Sequence, residues 1–377
     1  MSVIKTIGNN IRELMNESNI SVRKLAEVIN VTHPTMSKYI NGEQAIDSER
    51  LYIIADYFNK SFDYFFREKH EERPVMFRAD KPKENLEQYD YSYMLRKIEE
   101  YIDIIENDNL VYIPQSYTIK IDGSQLSEEN ENAIEKIAKE QRRLLGIENR
   151  IPDNYYNVIS KVGIHVLCFE LKNKTLFGAS SYAKGHGSFI FVNSNESIPE
   201  ERQIFSLIHE LGHLLFHQNE YLNPKYNPLY EKTRGNTKEK VADSFAGYFL
   251  LPKDMVKEYI KERDGKISPF EMKKHFKVSI HALFLNLHKY GLISDDVYQG
   301  FWKRVHQNKW NKTEPEPLDH MSFEKKNEKL VIEIMKLYDK DEISINKISE
   351  FLELDIIDTR RLVKEWGRNN DVFETIL

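Results

Sequence analysis

The stretch Pro199–His217, PEERQIFSLIHELGHLLFH, organises the interpretation of the whole chain. A proline followed by two acidic residues is typical of the first turn of a helix. Apolar residues then cover almost its whole circumference, which indicates a buried helix. His209, Glu210 and His213 interrupt that apolar surface. Because such polar groups are costly to bury, the stretch predicts a functional site rather than an ordinary core helix.

The spacing of these three residues favours a metal site. His209 and His213 are four positions apart, so they lie on one face of the helix, about 6 Å apart along its axis. Glu210 points about 100° away and can reach a water molecule beside an ion held by both rings. The pattern H-E-x-x-H on a helix is that of zinc peptidases, and it predicts Zn²⁺ with Glu210 as the catalytic base. The alternative is a core helix whose histidines are satisfied by hydrogen bonds.

A zinc site needs a third protein ligand. His217 lies about 12 Å along the helix from His209, which is too far for both rings to bind one ion. A second helix is predicted over Thr237–Pro252, TKEKVADSFAGYFLLP, in which Glu239 and Asp243 are four residues apart on one side. Glu239 can complete a His-His-Glu site. Asp243 can accept the spare N–H of a ligand histidine, as such sites usually require.

The two helices and their approach resemble a known family. HELGHLLFH followed by E-x-x-A-D-x-F-A-x-x-x-L-x-P resembles the ImmA/IrrE family of small, gluzincin-like metallopeptidases, and the resemblance covers roughly residues 128–298. The matching residues are His209, Glu210, His213, Glu239, Ala242, Asp243, Phe245, Ala246, Leu250 and Pro252. The resemblance implies a narrow substrate range, in which a transcriptional repressor is cut once and its genes are released.

Three strands are predicted ahead of the motif, at residues 164–169, 177–182 and 188–193, and they would form a small, largely antiparallel sheet. Gly212 would let the motif helix approach this sheet closely. A substrate is expected to lie extended beside the strand ending near Phe191–Asn193, as an added edge strand. The fold class is therefore predicted to be mainly α with a small antiparallel sheet, an α+β arrangement.

A second electrophile is expected beside the metal, to stabilise the tetrahedral intermediate of peptide hydrolysis. Tyr182 and His186 lie in the predicted hairpin and are candidates. Tyr221 and Tyr248 are further candidates in the second half of the chain. No spacing rule selects one of them, and for each taken alone a structural role is the preferred interpretation.

The first part of the chain, Thr6–Glu68, reads as four short helices. Within it, SVRKLAEVINVTHPTMSKYING (Ser21–Gly42) shows a helix, a tight turn and a second helix opened by small polar residues. This stretch resembles the helix-turn-helix of the Cro/lambda-repressor (XRE) type. The resemblance implies major-groove contacts and phosphate contacts. The major-groove residues would be His33, Pro34, Thr35 and Lys38, and Arg23 or Lys24 would reach phosphate.

The charge of this segment is unusual for a DNA-binding module. Residues 1–68 hold 8 Lys and Arg against 9 Asp and Glu, although such modules normally show a basic footprint. The alternative is a four-helix module for oligomerisation or protein docking. The positive residues cluster around the predicted second helix, so we predict binding of a double-stranded DNA operator, as a homodimer in the usual XRE manner.

The remaining segments are helical. The predicted order is a helix-turn-helix domain (1–68), a linker with a bridging helix near 85–107 (69–127), a metallopeptidase domain (128–300) and a C-terminal helical domain (318–377). The bridging helix is amphipathic and would either contact a second copy or pack within the chain. Residues 343–367 again suggest a helix-turn-helix, although a helical docking bundle is the preferred interpretation.

Composition restricts where and how the protein works. The chain has 377 residues and a formal net charge of −6, so the whole molecule is not a general polyanion binder. No run approaches about 18 apolar residues and the start lacks an apolar signal region, so no membrane partner is expected. The single cysteine, Cys168, lies in a strand pattern and suits a reducing cytoplasm.

Together these features predict a cytoplasmic, DNA-binding transcription regulator with a zinc metallopeptidase of the HExxH type. The peptidase would cleave a repressor protein, either this chain or a partner, to switch gene expression. The alternative is a non-catalytic transcription factor in which the metal domain senses a ligand or a stress signal.

Overall fold

The chain falls into two compact units, Met1–Arg73 and Pro74–Leu377. The computed structural model describes residues 3–17, 20–58, 62–66, 78–79, 88–104, 114–119, 121, 125–183, 186–217, 237–265, 268–310 and 313–373. Among these residues, none of the helices has both the length and the apolar composition needed to cross a membrane.

The first unit is entirely helical in its described residues. Its helices are α1 (Val3–Glu17), α2 (Val22–Val28), α3 (His33–Ile40) and α4 (Ser48–Tyr57), followed by a 3₁₀ turn at Phe62–Phe66. Ser21 caps α2 through the Lys24 amide, and Thr32 caps α3 through the Thr35 amide. The predicted helix, tight turn and second helix are confirmed.

Close contacts fix α1 against the end of α3. A Cβ on Gly8 would lie 2.6 Å from the carbonyl oxygens of Tyr39 and Ile40, so only glycine fits there. The Arg12 guanidinium donates to the Ile40 carbonyl at 3.1 Å and to the Asn41 side chain at 2.7 Å. These contacts set the position of α3 within its unit.

The second unit surrounds one small sheet with helices. Its helices are α5 (Gln88–Ile104), α6 (Glu128–Leu144), α7 (Tyr155–Lys161), α8 (Glu200–Phe216), α9 (Thr237–Leu250), α10 (Lys253–Glu262), α11 (Pro269–Phe276), α12 (Ile280–Lys289), α13 (Asp295–Gln307), α14 (Phe323–Lys326), α15 (Glu328–Asp339), α16 (Ile345–Leu352) and α17 (Ile356–Phe373). Its strands are β1 (Arg78–Ala79), β2 (His165–Phe169), β3 (Gly178–Ala183) and β4 (Gly187–Asn193).

The sheet has the order β1-β3-β4-β2. The β1–β3 and β3–β4 pairs are antiparallel, whereas β2 and β4 are parallel, so the sheet is mixed. The predicted fold class, mainly α with a small sheet, is confirmed. Because β4 is paired on both sides, no substrate strand can be added beside Phe191–Asn193, and that prediction is wrong. At the outer side of β2, the Asn327 carboxamide bonds both the amide (2.8 Å) and the carbonyl (3.0 Å) of Cys168, as a neighbouring strand would.

The sheet is covered on both faces. One face carries Val166, Ile190 and Val192 and belongs to the core that includes the apolar residues of α8 and α9. The other face carries Leu167 and Phe191 and packs with α5 and the C-terminal helices α15 to α17. The amphipathic helix α5 thus buries its apolar side within its own chain, as one of the two alternatives predicted.

Two glycines permit the closest contacts around α8. A Cβ on Gly212 would lie 3.2 Å from the Ala242 Cα, so this glycine brings α8 against α9. The prediction that Gly212 faces the sheet is therefore wrong. Gly178 of β3 has that role, because a Cβ there would lie 3.2 Å from the Cγ of Glu210.

Candidate metal centre and nucleic-acid interface

The close pairing of α8 and α9 brings three of the sequence-predicted ligands together. Nε2 of His209 lies 3.0 Å from Nε2 of His213. Oε2 of Glu239 lies 3.3 Å from the first of these nitrogens and 3.5 Å from the second. Both histidines are almost completely buried. Glu239, in the first turn of α9, is partly exposed.

These separations fit a zinc ion. Ligand atoms about 2.0–2.1 Å from one tetrahedral ion lie about 3.3 Å from each other. The three observed separations, 3.0, 3.3 and 3.5 Å, lie around that value. Two imidazoles and a carboxylate are also a usual zinc ligand set with one position left for water.

The other ring nitrogens are held by neighbouring side chains. Nδ1 of His209 lies 2.9 Å from Oδ1 of Asp243, which is where the sequence placed this carboxylate. Nδ1 of His213 lies 3.0 Å from Nδ1 of His217. Both contacts leave Nε2 as the nitrogen that faces the ligand site. His217 is therefore a supporting residue that ligand geometry alone did not predict, although its i, i+4 spacing from His213 is a signal.

Glu210 lies on the sheet side of α8 and is fully buried. The hydroxyl of Ser180 in β3 donates a hydrogen bond to its Oε2 atom. His209, Glu210 and His213 offer ligand atoms within 4.8 Å of one another. Ser180 was not predicted from the sequence, because only the register between β3 and α8 brings it to Glu210.

The predicted electrophiles differ in their surroundings. Tyr182 is two residues from Ser180 on the same face of β3, and it is buried in the core shared with α8. His186 contributes its backbone carbonyl to a 3.0 Å contact with Nε2 of His165. Tyr248 is nine residues from Glu239, on the opposite side of α9, where burial raises the pKa of its hydroxyl. Tyr221 lies outside the described residues.

The predicted DNA-contacting residues gather on α2 and on the start of α3. Arg23, Lys24, His33 and Lys38 are exposed, and Pro34 is exposed between them. Lys24 is also 3.6 Å from Glu27 of the same helix. The hydroxyl of Thr35 lies 2.8 Å from that of Thr32, so Thr35 takes part in the N-cap of α3. The exposed residues lie on the two helices that flank the turn.

Comparison with protein families agrees with both sites. Residues 11–65 match the model of a helix-turn-helix family, and residues 159–288 match the IrrE N-terminal-like domain of the M78 peptidases. The chain carries a helix-turn-helix domain and an IrrE N-terminal-like domain. The second match runs from α7 to α12, so it includes strands β2 to β4 and both helices of the candidate metal centre.

Relatives of the helix-turn-helix domain are regulators. Uncharacterized HTH-type transcriptional regulators of Rickettsia conorii and Rickettsia prowazekii are each 40% identical to this chain over 60 residues, which is 16% of this chain and 48% and 46% of theirs. The match thus spans about half the length of these relatives. The crystal structure of Bacillus thuringiensis PlcR in complex with the peptide PapR7 and DNA aligns over 96% of this chain and 99% of that one, at 10% identity and a TM-score of 0.19. That likeness is too weak to carry an argument.

The IrrE N-terminal-like domain does not account for the whole second unit. Helix α5 and helices α13 to α17 lie outside the match, yet they bury parts of the same cores. Cys168 lies in this core, and burial raises the pKa of its thiol, so it is an inert core residue at neutral pH.

Proposed function

We propose that the chain is a cytoplasmic, DNA-binding transcription regulator whose IrrE N-terminal-like domain is a zinc peptidase. Its substrate would be a repressor protein, either this chain or a partner, and its cleavage would switch gene expression. The observation that carries this proposal is the set of separations among His209, His213 and Glu239, which match those of ligands to one tetrahedral ion.

In this proposal His209, His213 and Glu239 hold Zn²⁺, while Asp243 and His217 keep the two rings in position. Bound there, the ion would polarise a peptide carbonyl and make a water molecule more acidic. Glu210, one residue from a ligand and buried on the sheet side, accepts the proton of the attacking water. It then passes that proton to the leaving amine of the peptide.

Two residues of β3 would assist the proposed peptide hydrolysis. The Ser180 hydroxyl donates a hydrogen bond to Glu210 and thereby fixes the orientation of the carboxylate. Tyr182 faces the same side of β3 and could donate to the oxyanion of the intermediate. His186 remains a second candidate for that position.

The helix-turn-helix domain would direct the regulator to a double-stranded operator. His33, Thr35 and Lys38 would face the major groove, with Thr35 also holding the cap of α3. Arg23 and Lys24 would contact phosphate groups. A homodimer is proposed because modules of this type bind two half-sites.

Replacement of Glu210 by Gln tests the proposal. The substitution keeps the size of the side chain and removes its ability to accept a proton, so zinc should still bind while cleavage is lost. Zinc content is measured on the purified protein, and cleavage is measured by co-expression with the repressors encoded by neighbouring genes. The regulatory response is measured in parallel with a reporter.

His209→Ala is the control variant, because it removes a proposed zinc ligand and leaves Glu210 in place. We expect this variant to lose both zinc and cleavage, whereas Glu210→Gln loses cleavage alone. A normal regulatory response from Glu210→Gln would refute the peptidase proposal and favour the metal domain as a sensor.

A further inference from the structure

One turn geometry occurs three times in the described part of the chain. In each copy a serine caps a first helix, a residue with positive φ follows nine positions later, and a polar N-cap residue comes two positions after that. The three sets are Ser21, Asn30 and Thr32; Ser268, Lys277 and Ser279; and Ser344, Glu353 and Asp355. The first set belongs to the helix-turn-helix domain.

Hydrogen bonds and burial repeat with the same spacing. In every copy an amide ten positions after the serine donates to the carbonyl five positions after it. These bonds are Val31 to Ala26 (2.9 Å), Val278 to Lys273 (3.1 Å) and Leu354 to Ser349 (3.2 Å). Positions four, fifteen and nineteen after the serine are buried, namely Leu25, Met36 and Ile40; Met272, Leu283 and Leu287; and Ile348, Thr359 and Val363. Helices α3, α12 and α17 therefore correspond position by position.

The corresponding faces of α3 and α12 have different surroundings. On α3 this face holds the residues that we propose contact DNA. On α12 it lines a cavity of about 280 Å³. The α12 residues are Ser279, His281, Ala282 and Leu285, at the positions of Thr32, Pro34, Thr35 and Lys38. The face that we propose contacts DNA in the first copy thus lines a partly open cavity in the second.

The cavity adjoins the candidate metal centre. Its opposite wall includes Phe205 of α8 and Asp243 and Gly247 of α9. Phe205 precedes His209 by one helical turn, and their rings are 6.3 Å apart. One turn is about 6 Å along the helix, which corresponds to about two residues of an extended peptide. A peptide held at the centre can therefore place a nearby side chain in the cavity.

The three charged groups of the lining already have partners. Lys289 is bound to Glu131 at 2.9 Å, and Asp243 is bound to His209. The guanidinium of Arg202 lies 4.4 Å from the centre of the Phe177 ring and 5.5 Å from that of Phe205. Burial lowers the pKa of His281, so its ring is neutral at neutral pH. The remaining surface is largely apolar, with Leu285, Tyr298 and Trp302 among its residues. This lining suits an uncharged, apolar group.

Asn286 offers a polar atom to a ligand in the cavity. Asn286 is 5% exposed, and its Nδ2 atom donates to the Ala282 carbonyl at 2.8 Å. Its Oδ1 atom accepts no hydrogen bond among the residues that the structure describes. A Cβ on Gly247 would lie 3.0 Å from both carboxamide atoms, so α9 leaves room for this amide. The Asn286 carboxamide oxygen can therefore accept a hydrogen bond from an N–H or O–H group of a ligand.

We propose that this cavity receives one large, uncharged, apolar side chain of a peptide, about two residues from the bond at the metal centre, and that α12 selects it. The inference rests on the proposed peptidase function and names the residue class that this function prefers. A volume of about 280 Å³ suits one side chain, since cavities for drug-sized ligands measure about 300–1,000 Å³.

The test uses binding, so that it does not depend on cleavage. Full-length, zinc-loaded Glu210→Gln protein selects from a random heptapeptide library displayed on phage. We expect enriched peptides to share a large apolar residue at one position. One such peptide is synthesised with that residue and with Gly in its place, and both affinities are measured by fluorescence anisotropy.

Ala282→Phe fills the cavity and is combined with the two peptides in a double-mutant cycle. We expect it to weaken binding of the apolar peptide at least tenfold and to have little effect on the Gly peptide. Leu285→Trp is a second filling variant at an exposed position, which serves if the first one unfolds. Ala45→Phe, the same substitution on the surface of the first unit, should change neither affinity.

Three outcomes are distinct. Failure to enrich an apolar residue, or equal affinity of the apolar peptide for the filled and unfilled proteins, would overturn the inference. Coupling in the cycle without cleavage of that peptide by the unmodified protein would support the cavity and refute the peptidase function. Coupling together with cleavage would support both.

Discussion

The two ligand histidines are oriented by chemically different partners. An ionised Asp243 has acceptor oxygens only, so it accepts the N–H of His209 and makes that ring a more basic ligand. His217 is a second imidazole, so one of the rings in the His213–His217 pair must donate and the other must accept. The His209 side of the centre therefore depends on a full negative charge, and the His213 side depends on a neutral His217.

Removal of the Asp243 carboxylate should weaken zinc binding. We expect Asp243→Ala to lower the affinity for zinc by about 10–100-fold, because the N–H of His209 loses its acceptor. The affinity is measured by competition with a chelator of known strength. Asp254→Ala removes another acidic residue of the same unit, paired with Lys139 at the surface, and should leave the affinity unchanged. Equal affinity for both variants would contradict this role of Asp243.

Site residues that lie on the same helix could be predicted from their spacing in the sequence. His209, Glu210 and His213 follow from their spacing on one helix, and Glu239 and Asp243 follow from the same spacing on a second. Ser180 could not be predicted, because its contact with Glu210 depends on how β3 and α8 pack. Its position in the sequence carries no periodic signal that points to α8.

At the level of elements, α8 is anchored at its N-terminus by buried ion pairs. Glu200 contacts Lys326 at 2.7 Å and accepts the Tyr156 hydroxyl at 3.0 Å. Glu201 pairs with Lys273, which also lies 3.0 Å from Glu314. The partners come from α11 and from chain far beyond the motif. The helix that carries the metal ligands is therefore held in place by residues outside the H-E-x-x-H stretch.

Loss of Lys273 should destabilise the second unit strongly. Lys273→Met leaves the buried carboxylates of Glu201 and Glu314 without their cation, and removing one partner of a buried pair costs about 3–5 kcal/mol. Burial already raises the pKa of Glu314. Urea unfolding followed by far-UV circular dichroism measures the free energy of unfolding.

The neighbouring residue provides the control for this substitution. Lys274 pairs with Glu316 at 2.7 Å, but both side chains are about half exposed. Exposed pairs contribute about 0–1 kcal/mol, so Lys274→Met should have a small effect. If the two variants lost the same free energy, the buried pair would not be what anchors α8.

The positions of the strands were predictable to within a residue or so, but their order was not. Alternation and turn residues located β2, β3 and β4 correctly. The placement of β4 in the middle of the sheet depends on the parallel pairing with β2, and periodicity contains no information about which strands are neighbours. The misplaced substrate strand and the misassigned contact of Gly212 both result from this missing tertiary information.

At the scale of the whole molecule, the DNA-binding and peptidase activities are proposed for separate units. Arg23 is exposed on α2 and makes no ion pair among the described residues. We expect Arg23→Ala to weaken binding of a random-sequence DNA duplex and to reduce the slope of log affinity against log salt by about 1. Fluorescence anisotropy at several salt concentrations measures this slope.

The third copy of the turn geometry supplies the control for DNA binding. Arg360 is exposed on α17, but Asp355 and Asp358 place two carboxylates at the start of that helix, which disfavours phosphate. Arg360→Ala should therefore leave the salt slope unchanged. A reduced slope for this variant, with none for Arg23→Ala, would place DNA at the second unit and contradict the proposed division.

The short strand β1 has a consequence for any protein that the centre would cut. Arg78 and Ala79 pair with Ser180 and Ala179 at the outer side of β3, beside the serine that holds Glu210. A tethered segment competes at an effective concentration on the order of millimolar. An extended polypeptide that approached this edge of β3 would therefore have to displace a segment of the same chain.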